Sequence, residues 1–204
     1  YEIMPSLVGS ETGNALADVV FGAVNPSGKL PFTFPVRLED NSAHALGEYP
    51  GTDSVRYNES IFVGYRWHDK QALKPLFAFG HGLSYTTFAV GNVKADRATL
   101  AANGRIRVSA EVTNTGDRAG AEVVQLYIGD EQSSLPRPVK ELKGFQKVSL
   151  NPGQTRTVTF EITPGMLQYY DDAKGAWVAE PGAFTAYVGA ASDDIRGTVE
   201  FELK

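Results

Sequence analysis

The sequence predicts a mainly β fold: an antiparallel β-sandwich, preceded by a fragment of an α/β layer and joined to it by an ordered, aromatic-rich connector. Three observations carry this reading. From Phe88 onward apolar residues recur with period two, in short runs separated by strong turn signals. No stretch in that region is helix-periodic for long enough to make a crossover between parallel strands. Before it, residues 13–35 hold one helix and one short extended segment, too little to enclose a core alone.

Residues 1–36 come first. Leu16, Val19 and Val20 fall at i, i+3 and i+4, one face of a helix, with Gly22 placed as its C-terminal stop. Asn25-Pro26-Ser27-Gly28 is a turn by composition. The following Lys29-Leu30-Pro31-Phe32-Thr33-Phe34-Pro35 alternates as an extended segment, and its two prolines, lacking N–H donors, confine it to an edge or terminal strand. Neighbours for these two elements are expected N-terminal to Tyr1. The opening Tyr1-Glu2-Ile3-Met4-Pro5, without an initiator methionine, predicts a fragment of a larger polypeptide.

Residues 37–58 are polar and turn-rich and read as a surface loop. Asn58-Glu59-Ser60 is a glycosylation sequon whose ordinary meaning is exposed polar chain. The stretch 59–88 is different. Seven aromatic residues, with Gly64, Gly80 and Gly82 among them, read as irregular backbone clamped by rings and not as a helix. Trp67, Phe77 and Phe79 are the expected seam between the segments on either side.

The β-rich unit follows. Ile106, Val108, Ala110 and Val112 alternate with polar residues as a half-buried strand. Further strands are expected over 122–128, 139–148, 158–162, 184–188 and 199–203. The intervening turns are marked by Asn114-Thr115-Gly116, Pro136 to Pro138 and Asn151-Pro152-Gly153. That makes six or seven strands, the count of a sandwich. Trp177 is expected to fill its core or cap one end.

The bulk composition narrows the function classes. Of 204 residues, 42% are hydrophobic and 21% charged, ordinary values for a folded chain. The net charge of −5 leaves no basic footprint, so neither nucleic acid nor an anionic membrane is an expected partner. There is no cysteine, hence neither a disulfide framework nor thiolate chemistry. No apolar run is long enough for a membrane span, and no charged start precedes an apolar core as in a signal peptide. Export is not excluded by the missing cysteines, and a periplasmic or secreted setting is preferred over the cytoplasm.

Candidate chemistry is sparse. Glycoside hydrolysis needs two carboxyls facing one bond, but Asp171-Asp172 and Asp193-Asp194 are chain neighbours in turns, and neighbouring side chains diverge. His68 and His81, with Asp69 beside the first, match no zinc or facial-triad spacing, so structural roles are preferred; His44 is expected to be exposed in the loop. Ser84 lacks the turn of a hydrolase nucleophile, and Gly80-His81-Gly82 lacks the strand-to-helix context of a phosphate loop. Tyr65, Trp67, Phe77, Phe79, Tyr85 and Phe88 read as packing residues before sugar platforms. Tyr49, Tyr57 and Trp67 flank the loop and are the first aromatics to test for sugar stacking. No catalytic residue, metal ligand or substrate-binding residue is assigned.

GYRWHD at 64–69 followed by PLFAFGHGLSYTTF at 75–88 resembles the join to the C-terminal domain in family 3 glycoside hydrolases, the β-glucosidase group. GNALADVVFGAVNPSGKLPFTFP at 13–35 is similar to the segment that closes the α/β sandwich domain of that family. VTNTGDRAGAEVVQLYIGD, RPVKELKGFQKV and LNPGQTRTVTF are similar to its fibronectin type III-like, immunoglobulin-like domain. The resemblance implies three parts: 1–36 as the end of an α/β sandwich domain, 37–87 as loop and connector, and 88–204 as the fibronectin type III-like domain. It implies a retaining β-glucosidase as the whole polypeptide, with the nucleophilic aspartate in an N-terminal barrel and the acid/base glutamate in the α/β domain, both outside this chain. The barrel and α/β domains of the same polypeptide are then the expected partners, a β-linked oligosaccharide or glucoside the substrate, and no cofactor is implied. A β-xylosidase or other exo-glycosidase of the family, a stand-alone β-sandwich binding module and association into a homo-oligomer stay open.

Overall fold

The computed structural model describes residues 9–204; the first eight residues of the 1–36 segment lie outside the described residues. Helix α1 (Thr12–Val20) forms where the helical spacing predicts it. The Gly22 N–H closes on the Val19 carbonyl at 3.0 Å with φ at 78°, the left-handed stop that glycine adopts at least cost. No residue of α1 is buried, and Leu16, Val20 and Phe21 show their apolar surface to solvent.

The extended segment after it runs antiparallel to the connector. Phe34 N–H donates to the Phe77 carbonyl at 2.8 Å and Leu76 N–H to the Phe34 carbonyl at 2.8 Å. Leu30 exchanges bonds of 2.8 Å with His81 and Gly80. Only Phe34 and Phe77 reach bridge geometry, because Pro31 and Pro35 contribute no donors. Residues 37–58 are largely exposed, yet they carry a 3-10 turn (Leu38–Asp40) and the one-turn helix α2 (Ser42–Ala45), capped by the Asn41 side chain on Ala43 N–H at 3.1 Å.

The connector departs from the expected irregular backbone. Residues Tyr65–Gln71 form helix α3, opened by Gly64 at φ 57° and closed by Ala72 in the left-handed region at φ 51°. Two turns of helix rich in Tyr, Trp and His are not favoured by propensity. They hold because Trp67 and His68 are buried and Tyr65 and Asp69 bind the sandwich.

The sandwich has seven long strands and three short ones. They are β1 (Phe88–Ala95), β2 (Thr99–Leu100), β3 (Ile106–Asn114), β4 (Gly120–Asp130), β5 (Glu141–Leu150), β6 (Thr155–Ile162), β7 (Tyr169–Asp171), β8 (Ala176–Val178), β9 (Gly182–Ala191) and β10 (Asp194–Leu203). One sheet has the order β1-β3-β6 and the other β2-β10-β9-β4-β5. Every pairing is antiparallel except the two-residue β2 against β10. Ile106, Val108, Ala110 and Val112 of β3 meet Val124, Leu126, Val158, Phe160, Phe184 and Val188 in one core, as the alternation predicts. The β1 strand, not singled out in the periodicity, is bent by a bulge between Gly91 and Lys94, with Asn92 at φ 50°.

Trp177 is neither in the core nor a cap on it. It lies in the β7–β8 hairpin, 65% exposed, with its ring 5.7 Å from that of its cross-strand neighbour Tyr170. The core is already closed by the smaller side chains of both sheets and by Leu167, so it has no space for an indole. No helix among the described residues is long and apolar enough to cross a membrane.

Candidate functional site: the seam between the N-terminal segments and the sandwich

The turn read from Asn25-Pro26-Ser27-Gly28 is a junction. The Asn25 carboxamide oxygen accepts the Ser84 hydroxyl at 2.9 Å and the Tyr85 N–H at 2.8 Å, while its nitrogen donates to the Ala119 carbonyl at 2.9 Å. One side chain thus ties the first segment to the connector and to the entry of β4. Around it, the Tyr85 hydroxyl donates to the Val19 carbonyl at 2.7 Å, Arg118 donates to the Gly22 carbonyl, and Lys29 pairs with Glu122 at 2.6 Å. A Cβ on Gly82 would run into the Gly28 carbonyl, which is why the connector carries glycine at this crossing.

Helix α3 makes the second half of the seam. Tyr65 lies between Phe79, 5.0 Å away, and Tyr127 of β4, 5.7 Å away. Gln125, also on β4, donates to the Gly80 carbonyl at 3.2 Å and the Ala190 carbonyl at 2.6 Å, and accepts the Tyr127 hydroxyl at 2.5 Å. Gly80 lies so close over Gln125 that a Cβ would overlap its carboxamide. Burial pushes the Tyr127 phenol far up, so it stays a neutral donor at every ordinary pH.

Charge completes the joint. Lys140 meets Asp69 of α3 at 2.6 Å, and Arg66 of α3 meets Glu141 at 3.4 Å. Glu141 also accepts Arg137 at 2.6 Å, and Arg137 reaches Asp130 at 3.0 Å with both side chains almost closed to solvent. Burial opposes the ionised form of Glu141, but Lys143, Arg137 and Arg66 outweigh it and hold its carboxyl below the usual range. Asp130 goes the other way: burial raises it, against the pull of Arg137.

The residues singled out from the sequence scatter around this joint. Phe79 is on the seam as expected. Phe77 turns instead to Phe34 and His81, at 6.0 and 5.5 Å, and so joins the first segment to the connector. Trp67 is buried, 7% exposed, and reaches no solvent-facing platform. Tyr57 and Tyr49 are exposed at 81% and 61%, Tyr49 with its ring 5.0 Å from His44, which is half-buried on α2 and not free in a loop. His68 bonds the Gly64 carbonyl through Nδ1 at 3.0 Å, and Ser84 is spent on Asn25. Asp171 is taken by Lys174 at 2.8 Å and Asp194 by Arg196 at 2.5 Å. Among the described residues no three His, Asp or Glu side chains converge as metal ligands. Tyr65, read from the sequence as a packing residue, carries the joint together with Asn25, Gln125 and Arg137, to which the sequence assigns no such role. Gln125 alone leaves a sequence signal, a polar residue inside the apolar run Val123-Val124-Gln125-Leu126-Tyr127-Ile128.

Comparison with known proteins fits both halves of the joint. Residues 3–85 match the glycosyl hydrolase family 3 C-terminal domain, and residues 122–192 match the fibronectin type III-like domain. The chain belongs to glycosyl hydrolase family 3. Among its relatives, beta-glucosidase BoGH3A of Bacteroides ovatus is 55% identical over 98% of this chain, and thermostable beta-glucosidase B of Acetivibrio thermocellus 49% identical over 93%. The matched regions are 28% and 25% of those proteins, so the chain spans about a quarter of the length of its family 3 relatives. Among solved structures, the family 3 beta-glucosidase of Bifidobacterium adolescentis superposes with a TM-score of 0.87 at 40% identity, covering 94% of this chain and 28% of that one. Beta-glucosidase 3B of Thermotoga neapolitana, in complex with glucose, gives 0.84 at 39% identity, covering 95% and 27%.

Proposed function

We propose that this chain is the architectural C-terminal part of a retaining β-glucosidase that removes terminal glucosyl units from the non-reducing ends of β-linked substrates. The observation that carries the architectural role is α1, a helix with no buried residue, where Leu16, Val20 and the adjoining Phe21 are left uncovered by the described residues. In this reading residues 1–36 complete an α/β domain, 37–87 form the loop and connector, and 88–204 dock as the fibronectin type III-like domain. Nucleophile and acid/base lie upstream, in a barrel and in the α/β domain, and no residue of this chain acts in the chemistry. The stand-alone binding module is disfavoured because such a module has no use for an uncovered α/β remnant. The named relatives favour a glucoside over a xyloside as substrate.

The test is a pair of assays with aryl β-D-glucoside and aryl β-D-xyloside. The 204-residue chain is expected to cleave neither, and a longer polypeptide carrying the barrel and α/β domains to cleave the glucoside faster. Turnover by the chain alone, lost on changing one of its own acidic residues, overturns the architectural reading. Preference of the longer polypeptide for the xyloside overturns the substrate.

A further inference from the structure

Of the two tryptophans, Trp177 is the one the fold leaves outside, 65% exposed, and Tyr170 against its ring is 49% exposed. The β7–β8 hairpin that carries them is fastened at both ends. After β8, Glu180 accepts the Ser134 N–H at 2.9 Å and the Ser134 hydroxyl at 2.5 Å, which ties the hairpin to the β4–β5 loop. Before β7, Arg137 of the same loop donates to the Leu167 carbonyl at 2.9 Å and lies over Tyr169, 5.3 Å from the ring centre. The loop adds Leu135 and Val139, 40% and 53% exposed. Four large apolar side chains are thus open on a hairpin and a loop that are tied to each other. Scattered singly, such residues mean little; gathered and rimmed by polar groups they mark an interaction surface, and Tyr and Trp are enriched on such surfaces.

The tip of the hairpin is set as well. Asp171 accepts the Ala173 and Lys174 N–H groups at 3.0 and 3.3 Å and pairs with the Lys174 side chain at 2.8 Å. A surface held in place beforehand loses little freedom on contact. The groups around the rings decide the occupant. Asp171, Glu180 and Arg137 are spent on partners within the chain, so they are not free to hydrogen-bond the hydroxyls of a sugar. What the surface offers is apolar area, which suits an apolar face of protein. It also continues from the seam, because Glu141 takes both Arg137, at 2.6 Å, and Arg66 of α3, at 3.4 Å. The chain spans about a quarter of the length of its family 3 relatives, so about three quarters of such a polypeptide remains to supply that face.

We propose that the Tyr170–Trp177 hairpin, with Leu135 and Val139, is a second docking surface of the sandwich, seated on an apolar face of the family 3 polypeptide outside these residues. The inference rests on the reading of this chain as the C-terminal part of a larger enzyme and goes beyond it by naming a contact that bypasses the connector. The seam fastens the sandwich to the segments before Phe88, and the hairpin fastens it directly to what lies beyond them. A domain held at one joint is free to swing, whereas two separate contacts fix its orientation.

The experiment is hydroxyl-radical footprinting, read residue by residue by mass spectrometry, on the 204-residue chain and on a longer polypeptide carrying the barrel and α/β domains. In the chain, Trp177 is expected to oxidise fast and the buried Trp67 slowly. In the longer polypeptide, Trp177 and Tyr170 are expected to slow to the rate of Trp67. Unchanged oxidation of Trp177 overturns the proposal. So does protection that appears only with an added β-linked glucan oligosaccharide, which makes the rings a sugar platform. Protection that appears only as protein concentration rises makes a second copy the occupant and overturns it too. Trp177→Ala should leave the melting temperature of the 204-residue chain unchanged, since the ring lies outside both sheets, and lower that of the longer polypeptide. Equal shifts in the two, or none in either, count against the docking surface. Glucoside cleavage is assayed separately. Cleavage with Trp177 still open sinks the docking surface alone, and protection of Trp177 without cleavage sinks the glycosidase reading alone.

Discussion

The phenol oxygen of Tyr65, on the connector helix, accepts the backbone N–H of Leu142, on strand β5, at 2.9 Å. Leu142 lies beside the register shift of the β4–β5 pair, where Tyr127 is opposite it and Leu126 is opposite Gly144. The connector therefore seats on an irregularity of the sheet, where a ladder is interrupted and an outside acceptor fits. Tyr65→Phe keeps the ring against Phe79 and Tyr127 and removes only this acceptor. It should cost about 1–2 kcal/mol in chemical denaturation, whereas Tyr65→Ala should cost about 3–5 kcal/mol. Equal losses from the two variants would contradict the hydrogen bond.

Asn25 makes three bonds, two to the connector and one to the entry of β4, so Asn25→Ala should release the N-terminal segment without unfolding the sandwich. Limited proteolysis is expected to cut within 13–35 faster in this variant, leaving a product that keeps the connector and the β-rich sandwich. The Tyr85 amide, which donates to Asn25 at 2.8 Å, should lose protection from hydrogen exchange while the β3 amides keep theirs.

Acid should loosen the seam through Glu141. Its folded carboxyl lies below the ordinary value of 4.5, so the stability it contributes is fully present above 4.5 and is lost as pH falls through the lower folded value. Asp40 and Asp96 act in the same direction, held down by the side-chain bond of Arg37 and by the backbone N–H of Arg107. Asp130 acts oppositely: its raised carboxyl takes a proton in the folded state first and relieves the cost of burying a charge. Melting temperature should therefore fall between about pH 5 and about pH 3. Glu141→Gln should start lower and fall less steeply, and a slope equal to that of the unmodified chain would rule Glu141 out.

Ala72 ends α3 in a conformation suited to glycine. Ala72→Gly should raise stability by about 0.5–1 kcal/mol, the relieved strain less the added freedom of the unfolded chain. In a chain of this length that is about 1–4 °C in melting temperature. The reverse change at Gly80, where φ is 82° and Gln125 blocks a Cβ, should lower it.

The sandwich was legible because its core strands bury one face. Along β3, buried Ile106, Val108, Ala110 and Val112 alternate with exposed or half-exposed neighbours, and period two in the chain is period two in space. The alternation fails where a second layer covers the outer face. Gln125 and Tyr127 of β4 are buried as fully as Val124 and Leu126, because the connector lies over them. Trp177 was misjudged for the opposite reason: indole size predicts burial, but a short hairpin outside the two sheets has no core to offer. Helix α3 is not legible because two turns containing Tyr, Trp, His and Asp are marginal in isolation and are held by what they touch.

The sequence by itself determined the layers: the strand periods, the glycine and proline punctuation, the uncovered helix of the first segment and, through its motifs, the family. Those signals are local, and each is set by a few neighbouring residues. Only the tertiary structure decided how the layers are fastened. Asn25 meets Ser84 and Ala119, Tyr65 meets Leu142, and Lys140 meets Asp69, across separations of 59, 94, 77 and 71 residues. A hydrogen bond or ion pair between residues so far apart leaves no periodic trace, because its partners are chosen by the docking of finished layers and not by the chain on either side of them.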